Sequence, residues 1–357
     1  MSENFFVVSG SRNYPVDFIH SSNELLDKLS ALNDTVMIVD ECIQQFYPDF
    51  TQKLAAIAKL FFMAATEENK SLKGIEPIIN FLQMNNATRK TTVVIIGGGV
   101  IEDTAVFAAH IYQRGLRVVL VPTTLLSMCD SCIGGKCGVN YQNYKNFLGA
   151  IHPPEAVYIW QGFLASLPEQ EIHSGYGEIL KYALLSGSDL YESLKIALSV
   201  DGFKNSQTLN YIYHGLLLKK QLVEEDEYDV GVRHLLNYGH TFGHALEGIT
   251  NYSLPHGIAV AVGIDMVNYL AWQRGILSET VFLDVHTLVK RYFQYDMSSL
   301  HLNGEMLTKH AIKDKKATQG KNRLVFMEEI GKFRIETLDF DSGVANMLQD
   351  YLEQRNF

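Results

Sequence analysis

Thr92-Val93-Val94-Ile95-Ile96-Gly97-Gly98-Gly99-Val100-Ile101 decides the fold. An unbroken β-branched run stiffens the backbone toward a strand, and the absence of polar alternation marks one buried on both faces. The three glycines that follow let backbone N–H groups and the positive end of the next helix approach an anion closely. Strand, glycine turn and helix together open a parallel α/β unit.

Outward from this run the pattern repeats. Residues 36–39, 118–121 and 157–159 have the same buried-strand texture, while 53–65 and 103–113 read as amphipathic helices between strands. A parallel sheet with crossover helices is therefore expected up to residue 160. Beyond Pro168 the texture becomes helical, over 169–186, 208–223, 235–249, 258–274 and 279–292, with one late hairpin from 323–327 and 332–336 around Ile330-Gly331. The fold class expected is an α/β domain followed by a mainly α-helical one.

Composition narrows the function. The chain has 357 residues, 47% of them apolar, enough for two cores, and a net charge of -10, which disfavours nonspecific nucleic-acid binding. No basic stretch followed by an apolar run opens the sequence, so no secretory signal is expected. The longest apolar run, 257–272, is broken by Asp265 and Asn268 and is too short to span a bilayer. Four cysteines are too few for a disulfide framework, and Cys129 and Cys132 lack the second pair or histidine that a zinc or redox motif needs. A reduced, cytoplasmic protein with no membrane or nucleic-acid partner is the expectation.

The dinucleotide fingerprint is met only in part. Glu102 takes the position of its third glycine, and no acid follows at the ribose-binding distance, so Asp40, at the end of an earlier strand, is the candidate for that contact. A charged carboxylate at Glu102 would repel a phosphate unless turned away. Pro122-Thr123-Thr124 lies at another strand end, and Asp130 through Lys136 joins a second glycine turn to a cation. In the helical half, His240 and His244 stand one helical turn apart, followed by His256. They read either as metal ligands on one face or as surface histidines.

Gly97 to Ile101, Pro122 to Leu126, Gly134-Gly135-Lys136, Gly138-Val139-Asn140, Lys145-Asn146, Gly177-Glu178 with Lys181, Leu236 through His244, and His256-Gly257 occur in one order. That order resembles 3-dehydroquinate synthase and the related sugar phosphate cyclases, over roughly residues 67 to 316. The resemblance implies an NAD-binding Rossmann-like domain in residues 1–160 and a helical metal- and substrate-binding domain in 161–357. It implies Zn2+, or Co2+ in its place, on Glu178, His240 and His256, which leaves His244 for the substrate. NAD would be held by Asp40, Glu67, Lys70, Gly97, Gly98, Gly99, Asp103, Thr123, Thr124, Lys136, Lys145 and Ser166. An anionic sugar phosphate would meet Asp130, Lys136, Asn146, Lys181, Lys219, Arg233, Asn237, His244, Lys315 and Lys316, with Arg114 reaching across a homodimer.

The implied reaction is cyclisation of 3-deoxy-D-arabino-heptulosonate 7-phosphate to 3-dehydroquinate with loss of phosphate. A cyclase for sedoheptulose 7-phosphate or glucose 6-phosphate, a metal-dependent polyol dehydrogenase, and a cofactor-binding protein without turnover are the alternatives. Arg233 favours a carboxylated substrate and the lysines favour a phosphorylated one. Glu102 in place of a usual glycine, Cys137 in place of threonine and Ile258 in place of glutamate depart from the family pattern.

Overall fold

The computed structural model describes residues 4–10, 12–142, 144–297, 300–312 and 321–355. Lys315 and Lys316 lie outside the described residues. Strands β1 (Phe5–Val7), β2 (Tyr14–Phe18), β3 (Thr35–Asp40), β4 (Lys59–Met63), β5 (Thr92–Gly97), β6 (Arg117–Pro122), β7 (Lys136–Tyr141), β8 (Tyr144–Ile151) and β9 (Ala156–Ile159) belong to the first half. Seven of them form one sheet in the order β1-β2-β9-β6-β5-β3-β4. Every pairing in it is parallel except β1 with β2.

Val93 to Ile96 and Met37 to Val39 are fully buried, the environment that β-branched runs on a central parallel strand require. From β3 the chain goes outward to β4 and then returns to the other side of β3 as β5. The strand order reverses there, which opens a crevice at the carboxyl ends of β3 and β5. Asp40 closes β3, Gly97 closes β5, and Gly97 is in register with Pro122 at the end of β6.

Three local expectations change. Residues 53–65 are not one helix: the helix Pro48–Ile57 ends at an extended Ala58, and Leu60-Phe61-Phe62 pairs with β3 as β4, because sheet pairing overrides the helical period of bulky residues. The helix expected from residue 103 starts at the glycine turn itself, as Gly99–Ile111. The helix expected over 235–249 is interrupted, since Gly239 has φ +80° and serves as the N-cap of the helix His240–Ile249. Strands β1 and β2 and the hairpin β7–β8 are not announced by the sequence pattern. The late hairpin is present as β10 (Lys321–Glu329) and β11 (Lys332–Asp339).

The chain divides into two compact units, Met1–Pro168 with Lys219–Tyr228, and Glu169–Leu218 with Asp229–Phe357. The division falls after residue 160 because Phe163, in the turn Gln161–Ser166, packs edge-on against Tyr47, Phe50 and Trp160 of the first unit. Lys219–Tyr228 joins that unit through Lys219 on Asp130, Glu224 on the Val8 N–H and Glu227 on Ser9 and Gly10. The second unit is built largely from helices, including Glu169–Ser186, His240–Ile249 and His256–Gln273. No helix among the described residues is long and apolar enough to cross a membrane.

Candidate active site

In the second unit, two close helix crossings bring distant residues together. A Cβ on Gly177 would lie 1.9 Å from the Gly257 carbonyl oxygen, and one on Gly257 would lie 1.7 Å from that of Ser174. The helices Glu169–Ser186 and His256–Gln273 therefore touch backbone to backbone, and Glu178 comes beside His256. At the other crossing a Cβ on Gly263 would lie 2.1 Å from the Gly239 carbonyl oxygen, which brings His240 to the same place.

Glu178 is fully buried. Its Oε1 lies 3.4 Å from His240 Nε2 and 3.2 Å from His256 Nε2, while Oε2 pairs with Lys181 Nζ at 2.5 Å. The other ring nitrogens are held in place: His240 Nδ1 lies 3.1 Å from the Tyr238 carbonyl oxygen and His256 Nδ1 lies 3.3 Å from Glu247 Oε1. With Nδ1–H donating in each ring, both Nε2 atoms are left on the Glu178 side, where a metal would take them as ligands. The three donor atoms lie within 4.8 Å of one another.

This set fits a divalent ion. Tetrahedral zinc with bonds of roughly 2.0–2.1 Å sets neighbouring donors about 3.3 Å apart, close to the histidine–carboxylate separations here. Both Glu178 oxygens are buried, and among the described residues neither has a hydrogen bond of ordinary geometry, so a cation has somewhere to act. Burial opposes the Glu178 charge, but Lys181 and His240 outweigh it and hold the carboxyl well below the usual range. Burial pushes His240 down to about 4, whereas Glu247 and Glu178 overcome burial and raise His256 to about 9. His244 and Glu247 form a second possible ligand group with His256.

The remaining candidates of this unit surround that centre in sequence. Arg233 is 2% exposed in the turn Val232–Asn237, and Asn237 Nδ2 lies 3.0 Å from His234 Nδ1. The His244 ring centroid is 5.4 Å from that of His240 and 6.0 Å from that of His256. A cavity of about 610 Å³, lined in part by Asp189, Asn210 and His214, contains none of the expected site residues.

In the first unit, the cofactor candidates gather at the carboxyl ends of adjacent strands. Asp40 follows β3, Glu67 and Lys70 follow β4, Gly97 to Gly99 and Asp103 follow β5, and Thr123 and Thr124 follow β6. Cβ atoms on Gly97 and Gly98 would come within 2.5 Å of Ile101 and 2.7 Å of Thr124, so packing requires glycine there, and the helix start at Gly98 has no side-chain cap, which suits a pyrophosphate. Lys70 is buried and paired with Asp103. Asn140 Nδ2 donates to Glu67 Oε1 at 2.7 Å and Asn140 Oδ1 accepts the Asn146 N–H at 2.8 Å, which ties the β7–β8 hairpin to the Glu67–Lys70 segment.

A cavity of about 470 Å³ is lined by Asp103, Lys136, Asn146 and the hairpin backbone at Gly138 and Gly149. Lys219 Nζ donates to Asp130 at both its carbonyl oxygen, 2.6 Å, and its Oδ1, 2.7 Å. Lys145 is half-buried on β8, Ser166 donates to the Phe163 carbonyl oxygen, and Arg114 is exposed with φ +67°. Glu102 is not a charged intruder on the turn. Burial raises it to about 8, and it receives the Ser131 hydroxyl.

Residues 60–174 match the family described as 3-dehydroquinate synthase N-terminal, and residues 175–317 match 3-dehydroquinate synthase C-terminal. The chain belongs to the 3-dehydroquinate synthase family. Relatives include the 3-dehydroquinate synthase of Sulfurovum sp. (strain NBC37-1), 37% identical over 295 residues that cover 81% of each chain. Among solved structures, 2-epi-5-epi-valiolone synthase from Streptomyces hygroscopicus subsp. jinggangensis 5008, with NAD+ and Zn2+ bound, is 25% identical, covering 96% of this chain and 97% of that one, with a TM-score of 0.83. A 2-deoxy-scyllo-inosose synthase complexed with carbaglucose-6-phosphate, NAD+ and Co2+ shares the fold, with a TM-score of 0.85 at 21% identity over 98% of this chain and 99% of that one.

Two residues of this family member escaped the sequence reading. Glu247 is 2% exposed and faces the metal-candidate histidine His256. Its signal was an acid three residues past His244 on a largely apolar helix. In sequence Ser131 reads as part of a glycine-rich loop, whereas in the structure its hydroxyl donates to the Glu102 carboxyl.

Proposed function

We propose that this protein converts 3-deoxy-D-arabino-heptulosonate 7-phosphate to 3-dehydroquinate with release of phosphate, using NAD and a divalent zinc ion. The observation that carries the reading is the convergence of His240 and His256 on one buried oxygen of Glu178, in a chain of this family. When bound, NAD supplies reversible hydride acceptance at a ring carbinol, and the metal polarises the oxygen of that carbinol.

The chain's own groups do the rest. Asp40, Glu67, Lys70, Asp103, Thr123, Thr124, Lys145 and Ser166 would orient the dinucleotide, and the Gly97–Gly99 turn would offer its N–H groups to the pyrophosphate. Glu178, His240 and His256 would hold the metal through one carboxylate and two imidazoles. Arg233 receives the substrate carboxylate, and Lys136, Asn146 and Lys219 receive its phosphate end, with Asp130 orienting Lys219. Lys181, Asn237 and His244 complete the contacts around the ring, as do Lys315 and Lys316 on the family pattern. Arg114 serves a second copy of the chain in a homodimer, and the free cysteines agree with a reducing, cytoplasmic setting.

Ionic pairing in the ligand-free chain supports an anionic substrate. Lys219 and Lys181 are each compensated by a carboxylate, Asp130 and Glu178. With Asp130 holding Lys219 in place, the ammonium group can meet an incoming phosphate as a local cation in a protein of net charge -10. The test is phosphate release from a panel containing the heptulosonate phosphate, sedoheptulose 7-phosphate and glucose 6-phosphate, with NAD and zinc. Release from the heptulosonate phosphate without accumulation of NADH is expected. Preference for another sugar phosphate reassigns the substrate, and no release from any of them, with metal and NAD shown bound, refutes the cyclase reading.

A further inference from the structure

Glu102 is a buried acid with no part in the chemistry above. It sits in the first turn of the helix Gly99–Ile111 and is 3% exposed. The Ser131 hydroxyl donates to its Oε2, and its Oε1 is buried with no hydrogen bond among the described residues. Ser131 ends the π-helical segment Ser127–Ser131, which carries Asp130. The front of that segment is pinned by Thr124, whose Oγ1 accepts the Ser127 N–H at 3.1 Å and whose N–H donates to Ser127 Oγ at 3.2 Å. Its rear is pinned by Glu102.

We propose that Glu102 is a positioning residue: through Ser131 it fixes the segment bearing Asp130, and so sets the Asp130–Lys219 pair that receives the anionic substrate. The role of that pair rests on the cyclase reading. A single π-helical turn is rare and frequently lies at a functional site, and here side chains hold it at both ends. Asp130 directs Lys219 with two acceptors on one residue, so a small rotation of the segment moves the ammonium group directly.

The charges facing Glu102 are Asp103 on its own helix, Asp130 on the supported segment and Lys219 from the returning chain, with the Cys132 thiol close enough to feel it. Desolvation outweighs Lys219 and raises Glu102 to about 8, so at pH 7 the group is mainly the neutral acid.

The test compares wild type, E102Q, E102A and S131A. Hydrogen exchange of residues 127–132, read by mass spectrometry, needs no turnover. E102A and S131A should speed exchange about tenfold at pH 7, as expected for loss of one buried hydrogen bond, and E102Q should restore protection. In turnover, E102A and S131A should raise KM for the sugar phosphate about tenfold with a smaller change in kcat and an NAD Kd within twofold. Unchanged exchange in both E102A and S131A overturns the proposal, as does a loss confined to NAD affinity. Absence of turnover in wild type would count against the cyclase reading alone, because the exchange experiment still decides the role of Glu102.

Discussion

Replacing Glu178 with glutamine should destabilise the metal-free protein, and the structure sets the size. Glu178 is 0% and Lys181 1% exposed, and their charged atoms are 2.5 Å apart. Removing one member of such a buried pair leaves the other charge without compensation and costs roughly 3–5 kcal/mol. The Tyr182 ring, 4.6 Å from Lys181 Nζ, recovers only a fraction of that. For a unit of roughly 180 residues each kcal/mol moves the transition by about 2–4 °C, so the second unit should melt about 10 °C lower. Calorimetry in chelator at pH 7.5 reads this directly. E178Q/K181M, with neither charge, should recover most of the loss, since a neutral pair of similar volume is often as stable as a buried ion pair. After zinc is restored, E178Q should stay metal-free and K181M should bind. A chelated E178Q that melts with wild type, or a double variant no better than E178Q, would refute the assignment of Glu178 as the buried counter-charge.

Other expected outcomes separate neighbouring residues. H240A should lose zinc, and H244A should keep it while losing turnover, as metal analysis and phosphate release will show; zinc lost only in H244A would move the ion to His244, Glu247 and His256. R233A should weaken a carboxylated substrate far more than a neutral sugar phosphate, and equal losses in kcat/KM would mean that Arg233 does not meet the carboxylate. Glu102 holds its proton in the fold up to about pH 8 and in the unfolded chain only to about 4.5. Folding therefore retains a proton between those values and stability falls as pH rises, by about 1.4 kcal/mol per unit at most. E102Q should flatten that decline in denaturant titrations from pH 5 to 8.5, and parallel curves for E102Q and wild type would contradict a raised carboxyl.

The four central strands β9, β6, β5 and β3 were legible because their information is local. Residues 92–101 announce a buried strand, an anion-binding turn and a helix start within one short stretch, and the structure adds only that the helix begins at Gly99. The strand β4 was not legible, since Leu60-Phe61-Phe62 suits a helix face as well as a sheet edge and only pairing with β3 decides. The β7–β8 hairpin escaped because Asn140 and Asn146, which are bonded to each other beside its turn, look in sequence like ordinary loop residues.

The site shows the same division at longer range. The spacing of His240 and His244 suggested one shared metal, a local inference from a helical period. Yet His240 opens its helix just after the left-handed Gly239, and the ring that faces Glu178 alongside it is His256, on the next helix. What selects that partner is the glycine content of the crossings: Gly177 against Gly257 and Gly239 against Gly263 admit backbone contact only where neither helix carries a side chain. Those glycines were visible in sequence, but which helix each one met was not. Substituting alanine at Gly257 should therefore disturb metal binding without removing any ligand, because its Cβ would have to displace the Ser174 carbonyl and move His256 away from Glu178. Full zinc occupancy in G257A, with an unshifted affinity, would show that the ligands find one another without that crossing.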